Sequence, residues 1–291
     1  MAEKNAIQPS TLYLVATPIG NLDDMTFRAL KVFKEATLIA AEDTRNTSKL
    51  LAHFGIKANK LISCFEHNQM ARVDEILETL AQGGSVALAT DAGMPGISDP
   101  GYPLVQAAIE KGFSVVPIPG ASAVVAALAA SGLNPASFTF VGFLSAKASD
   151  RRDELGRLKN LEQTLVFYEA PHRLVGFLKD ALEILGSRSA VVARELTKLH
   201  EEFVRGTLAE LLKRFEAQEP LGEIVVLIEA AEPGSNSPAP DWEGLSVPEH
   251  LLQLLKEGMT KTEAVKVVAK SRGLDRNEVY QIAIQLPKGF K

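Results

Sequence analysis

Glu42, Asp43 and Arg45 stand together directly after the apolar residues 37–41, and Asp91 closes a second apolar run, VALAT at 86–90. A carboxylate at such a place can take up a proton or face a cation, and an arginine beside it can hold an anion. Asp99, Glu169, Arg173 and Glu195 sit at comparable points further along, and each has a plain alternative as a helix cap or ion-pair member. Cys64 follows LIS and reads as a packed thiol, the common state of a lone cysteine. Five histidines and one cysteine have no metal-ligand spacing, so no metal site is expected.

Two loops would gather these groups. Residues 85–101, SVALATDAGMPGISDPG, and 116–132, VPIPGASAVVAALAASG, each leave an apolar strand through Gly, Pro, Ser and Asp and enter a helical pattern. That is the layout of a ligand loop at the carboxyl end of a sheet strand, and two so close in sequence converge on one crevice. Gly93, Gly96, Gly101 and Gly120 admit backbone close to a ligand, while the neighbouring prolines stiffen the loops. TPIGNLDD after the first strand lacks the dinucleotide glycine pattern, and no phosphate-cradling lysine loop or nucleophile elbow occurs. The crevice is left to another nucleotide-like ligand.

The elements that hold the loops alternate. LYLVA at 12–16, residues 37–41, LISCF at 61–65, VALAT and 113–117 read as strands, with helices from Asp24, over 47–54, after 66–68, over 104–111 and over 121–131. Asp23 or Asp24 is available to cap the first helix. About five strand–helix alternations predict a mainly parallel α/β sheet. Beyond Pro135 the strands FTFVGF, TLVFYEAP, SAVVARELTK and GEIVVLIEA outnumber the helices, which predicts a mixed sheet. The expected organisation is a flexible N-terminus at 1–10, α/β domains at 11–132 and 133–231, a linker at 232–245 and a small helical unit at 246–291.

The chain has 291 residues, of which 46% are apolar and 23% charged, a soluble globular composition with room for two ordinary domains. The absence of a cysteine pair fits a reducing cytoplasm, and no apolar run is long enough for a membrane span. A net charge of −5 argues against nucleic-acid binding through overall charge. Local basic clusters remain: Lys147, Arg151, Arg152 and Arg157 in one stretch, and eight Lys or Arg against five Asp or Glu from residue 246 onward. In that tail Thr260 with Glu263 and Asp275 with Glu278 mark two helix starts around Gly273, a helix-turn-helix pattern with Lys266 and Lys270 available to a nucleic-acid backbone.

Specific motifs carry a resemblance. Pro18-Ile19-Gly20-Asn21 with Thr26 and Ala29 beyond it, the 90–101 loop, and VPIPGASAVVAALAASGLNP at 116–135 together resemble the tetrapyrrole methylase superfamily of S-adenosylmethionine-dependent methyltransferases. Within it, TPIGNLDD, AAEDTR, TDAGMPGISDPG, FYEAPHR and ARELTK are similar, in order, to the ribosomal small-subunit RNA 2′-O-methyltransferase I family, from about Leu12 to Gln285. Asn21 and Met94 stand where many of the wider superfamily carry aspartates, which points away from a porphyrinoid acceptor.

The resemblance implies a two-domain fold with donor contacts from Ile19, Gly20, Asn21, Gly93, Met94, Ile97, Ser122, Ala123, Tyr168 and Leu196. It implies methylation of a cytidine ribose 2′-hydroxyl in the decoding region of 16S rRNA, by a cytoplasmic homodimer. Asp91, Arg45, Glu42 and Asp43 are then the candidates to work on the hydroxyl, and Lys147, Arg151, Arg152, Arg173, Lys198, Lys266 and Lys270 those to hold RNA. Two other readings stand beside it: a methylase of a small tetrapyrrole-like molecule, and a nucleic-acid-binding regulator that senses S-adenosylmethionine.

Overall fold

The computed structural model describes residues 6–65, 69–218, 220–232 and 245–286. The chain divides into two compact units, Met1–Ala231 and Glu232–Lys291. Most of the expected linker, residues 233–244, lies outside the described residues, as do residues 1–5 and Glu66, His67 and Asn68. Residues 6–10, part of the stretch expected to fray, are tied down: Ile7 packs on the core and the Gln8 amide donates to the Tyr13 hydroxyl at 2.7 Å.

In the first unit, β1 (Thr11–Val15), β2 (Leu38–Ala41), β3 (Leu61–Ser63), β4 (Val86–Ala89) and β5 (Ser114–Ile118) form one sheet in the order β3-β2-β4-β1-β5. Every pairing in it is parallel, as the alternating pattern predicts. Side chains alternate between its faces. Tyr13, Val15, Ile39, Ala87 and Ala89 pack with α1 (Phe27–Glu35) and α2 (Thr44–His53). Leu12, Leu38, Ala40, Val86 and Leu88 pack with α3 (Gln69–Ala81) and α4 (Tyr102–Glu110). With both faces covered, these strands read as near-continuous apolar runs.

Two helix starts differ from the sequence expectation. Leu22–Asp24 is a separate 3-10 turn, and α1 begins only at Phe27, because the Thr26 hydroxyl caps it by accepting from the Ala29 amide at 3.2 Å. The second helix starts three residues earlier than expected because Asp43 caps it.

α5 (Ala123–Ser131) leads to a second sheet of β6 (Phe138–Gly142), β7 (Thr164–Glu169), β8 (Ser189–Arg194), β9 (Glu202–Thr207) and β10 (Ile224–Ile228), ordered β6-β7-β10-β8-β9. Only β6 and β7 run parallel, so the sheet is mixed. α6 (Ala148–Leu158), α7 (Pro171–Leu185) and α8 (Leu208–Ala217) cover one face over Phe167, Val192 and Val226. The small-residue helix α5 fills the other, packing Val124, Ala127 and Leu128 against Val166, Val191 and Leu227. β9 and α8 were not among the expected elements.

The second unit is a three-helix cluster, α9 (Val247–Lys256), α10 (Lys261–Arg272) and α11 (Arg276–Gln285), around its own small core of Leu251, Val265, Val268 and Val279. Thr260 and Glu263 form the expected reciprocal capping box, and Gly273 ends α10 in the left-handed region. Asp275 makes the forward half of the second box, accepting from the Asn277 and Glu278 amides. α9, with a Ser246–Glu249 box of its own, adds a helix before the expected pair.

Candidate active site

The loops after β1 and β4 leave adjacent strands and are zipped together where they leave. Thr17 and Gly93 exchange both backbone hydrogen bonds, at 2.9 and 3.1 Å, and the Thr17 hydroxyl donates to the Thr90 carbonyl at 3.1 Å. The β4 loop then curls tightly, with Gly93, Gly96, Ser98 and Gly101 all at positive φ. Across from it are the ends of β7 and β8 and, because β10 runs antiparallel to both, the start of β10.

These pieces enclose a first cavity of about 390 Å³, within the usual range for small-molecule sites. Ile19, Met94, Ile97, Leu196, Ile224 and Val225 give it apolar walls, Tyr168 stands against Phe143 at 5.5 Å between ring centroids, and Ser122 and Ala123 bring the start of α5. Its lining holds three carboxylates, Asp99, Glu169 and Glu223, and among the described residues no Lys, Arg or His. Glu169 is only 2% exposed. Its Oε1 accepts from the Ala170 amide at 2.8 Å, Arg173 stands 3.2 Å away, and Oε2 has no hydrogen-bond partner. Burial pushes the Glu169 carboxyl above the ordinary carboxylate range. A buried carboxylate oxygen without a donor is costly, which favours the protonated form of this group.

A second cavity, of about 520 Å³, adjoins the first and shares Ile19, Ala92 and Glu223 with it. Gly20 and Leu22 line it from the first loop, Asn46, Lys49, Leu50 and His53 from α2, Thr90 and Asp91 from the end of β4, and Lys198 from the β8–β9 connection. Asn46 donates to Asp91 at 2.8 Å, and the Asp91 amide donates to Glu42 at 3.2 Å. Lys198 bonds Glu195 at 2.8 Å and Glu223 at 3.1 Å. Burial works against that ammonium, yet the two carboxylates hold its pKa above the ordinary lysine value. The buried Thr90 hydroxyl has no partner.

A family described as tetrapyrrole (corrin/porphyrin) methylases matches residues 11–212, and one described as the RsmI C-terminal HTH domain matches 248–287. Over 272 residues, 94% of each chain, the protein is 48% identical to ribosomal RNA small subunit methyltransferase I of Halalkalibacterium halodurans. The chain belongs to that methyltransferase I family. The Synechocystis protein of the same name is 46% identical, covering 94% of this chain and 98% of its own. In fold, the chain is similar to uroporphyrin-III C-methyltransferase from Thermus thermophilus complexed with S-adenosyl homocysteine, with a TM-score of 0.53 and 20% identity over 75% of this chain and 96% of that one.

The methyl donor of the methyltransferase I family is S-adenosylmethionine, and the first cavity suits it. Apolar walls fit an adenine ring, and a lining with three carboxylates, two of them balanced from behind by Arg173 and Lys198, fits a ligand that carries a sulfonium and an ammonium. When bound, this molecule supplies the transferable methyl group.

Among the residues expected at the donor, Ile19, Gly93, Met94, Ile97, Ser122, Ala123, Tyr168 and Leu196 line the first cavity. Gly20 lines the second instead. Asn21 lines neither: it is exposed, and its side chain accepts from the Asp23 amide at 3.1 Å to cap the turn at 22–24.

The acidic cluster divides in the same way. Asp91 lines the second cavity and Glu42 supports its backbone. Asp43 and Arg45 line neither cavity and are corrected to local structure. The Asp43 carboxylate accepts from the Arg45 amide at 2.8 Å and from its guanidinium at 2.6 Å. That guanidinium brings the Asp43 pKa down to about 2, too weak a base to take a proton near neutral pH.

Of the expected RNA handles, Arg151 is wrong. It is 7% exposed and locked to the buried Asp180 by Nε at 2.7 Å, which makes it a structural ion pair. Arg173 is drawn inward to Glu169 and to the Leu144 carbonyl at 2.6 Å. Arg152, Lys266 and Lys270 are exposed, and so is Lys147, which pairs with Asp150 at 3.0 Å. The residues missed were those of α2. Asn46, Lys49, Leu50 and His53 follow the spacing that puts side chains on one helix face, a signal legible once the helix is known to follow a ligand-bearing strand.

Proposed function

We propose that the chain transfers a methyl group from S-adenosylmethionine in the first cavity to a nucleotide seated in the second, and that the acceptor is the ribose 2′-hydroxyl of a cytidine in the decoding region of 16S rRNA. The observation that carries this reading is the shared wall. Ile19, Ala92 and Glu223 belong to both cavities, so a donor on one side and an acceptor on the other meet across a few side chains. The second cavity offers what a nucleotide needs: cations at Lys49 and Lys198, hydrogen-bonding groups at Asn46, Asp91 and Thr90, and an apolar surface at Leu22 and Leu50. Its relatives' name, ribosomal RNA small subunit methyltransferase I, supports the ribosomal acceptor. Orientation of the hydroxyl behind the methyl–sulfur bond is the chain's main contribution, and alignment of that kind lowers a barrier by roughly 7–11 kcal/mol.

Lys147, Arg152, Lys266 and Lys270 would hold the RNA backbone through charge, with affinity that falls as salt rises. The enzyme would act in the cytoplasm as a homodimer. The test is transfer of labelled methyl to small ribosomal subunits from cells lacking this gene, with naked rRNA alongside and the label mapped by nuclease digestion. Label on one cytidine ribose oxygen is expected. Donor binding without transfer to either substrate would refute the ribosomal assignment.

A further inference from the structure

We infer that Glu223 takes the proton from the acceptor hydroxyl during methyl transfer. The inference rests on the ribose reading above and names within it the group that a 2′-hydroxyl requires. As the hydroxyl oxygen forms its bond to the methyl carbon, the methyl–sulfur bond breaks and leaves its electron pair on sulfur. The oxygen becomes strongly acidic at that moment, and its proton passes to the Glu223 carboxylate. The products are an O-methyl ribose, a neutral thioether and a protonated glutamate, which returns its proton to water because the side chain is 73% exposed.

Position selects Glu223. The transferred methyl and the attacking oxygen meet where the two cavities meet, and a base must stand within hydrogen-bond reach of that oxygen. Ile19, Ala92 and Glu223 line both cavities, and of these three only Glu223 can accept a proton. The other carboxylates stand elsewhere. Asp99 and Glu169 line the first cavity alone, and Asp91 lines the second alone, where it accepts from Asn46. Glu42, Asp43 and Glu195 line neither.

The chain around Glu223 is built to hold it there. The Glu223 amide donates to the Glu195 carboxylate at 3.0 Å, and the Glu195 amide donates to the Glu223 carbonyl at 2.9 Å. Gly222 must lack a side chain, since its φ is 89° and a Cβ would strike the same Glu195 carboxylate. Glu195 and Thr197, with φ of 51° and 66°, are held in the left-handed region that non-glycine residues rarely adopt. That strained turn delivers Lys198, whose ammonium donates to Glu195 Oε1 at 2.8 Å and to Glu223 Oε2 at 3.1 Å.

One Glu223 oxygen is thus fixed and the other is open. Oε1 has no partner among the described residues, so it can accept the O–H of the acceptor. Lys198 cannot take the proton itself. Burial works against its charge, but the two carboxylates hold its pKa above the ordinary lysine value, so it stays an ammonium.

The test uses the full-length enzyme and whichever form of small-subunit RNA it labels. Single-turnover transfer at saturating S-adenosylmethionine, where any change in donor affinity drops out, should be about 100-fold slower in Glu223→Gln. Glu223→Ala should be equally slow, and formate, but not formamide, should raise its rate by about 10-fold because the exposed position admits a small carboxylate. A purely structural role would not respond to an added base. A second readout needs no turnover. With S-adenosyl homocysteine present, the native enzyme should bind RNA carrying the target ribose about 10-fold more tightly than RNA with a 2′-deoxyribose there, the worth of one hydrogen bond to a charged group. Glu223→Ala should bind the two equally. A near-native rate in Glu223→Gln, a Glu223→Ala rate indifferent to formate, or a ribose preference that survives in Glu223→Ala would overturn the assignment. If the native enzyme labels a base atom instead of the ribose, the ribose reading itself fails and the role of Glu223 with it.

Discussion

The Asn46 side-chain amide donates to the Asp91 carboxylate at 2.8 Å, joining the first turn of α2 to the loop that follows β4. Both residues line the second cavity, so the bond ties its α2 wall to the loop that also lines the first cavity. Asn46→Ala and Asp91→Asn are therefore expected to lower methyl transfer by about 10- to 100-fold while leaving donor affinity within about threefold. Arg45→Ala, at an exposed side chain engaged with a helix cap, should change the rate little. Paired calorimetry and label incorporation would check both statements.

Gly20 lies where the first loop meets the β8–β9 connection. A Cβ there would come within 2.9 Å of the Thr197 hydroxyl and 3.1 Å of the Leu196 carbonyl. The nearest atom would be the Lys198 Cγ at 2.5 Å, near the root of a side chain held by Glu195 and Glu223, so it too would have to shift. Gly20→Ala should cost about 1–3 kcal/mol in urea unfolding, as overpacking usually does, and should weaken donor binding because Leu196 is displaced from the cavity wall.

Arg151 and Arg152 are neighbours with opposite expected phenotypes. Arg151→Leu strands the buried Asp180 carboxylate and should destabilise the protein by about 3–5 kcal/mol. Arg152→Ala, at an exposed side chain 3.5 Å from Asp180, should leave the unfolding midpoint nearly unchanged. In RNA binding the order reverses. Arg152→Ala, like Lys147→Ala, should weaken affinity and reduce the salt slope by about one.

Cys64 is 1% exposed, and burial pushes its thiol pKa up. An aromatic disulfide reagent should leave it unmodified in the native protein and react at once in denaturant. Rapid modification under native conditions would show that the core around β3 opens locally.

Much of this architecture was legible in the chain, and the failures have physical causes. Parallel strands covered on both faces leave unbroken apolar runs, which is why β1, β2 and β4 were plain. β9 is an edge strand in which only Val204 is fully buried, so EFVRGT carries no apolar run to find. α8 did carry a signal, with Leu208, Leu211 and Phe215 at helical spacing behind a Thr207–Glu210 box. Arg151 misled because a basic stretch resembles a phosphate track. Its spacing from Leu155 and Leu158 puts it on the inward face of α6, and its partner lies 29 residues away on α7, beyond the reach of local pattern. Asp43 and Arg45 misled because a helix cap and a catalytic acid use the same residue type at the same strand end.

The walls of the donor cavity come from Ile19 at one extreme and Val225 at the other. During synthesis the glycine loops of the first sheet exist long before β10 closes the floor. A nascent chain can fold its parallel sheet early, yet it gains no stabilisation from the methyl donor until the last strand of the body has been made. Competence for methyl transfer is therefore a property of the finished body, acquired in one late step.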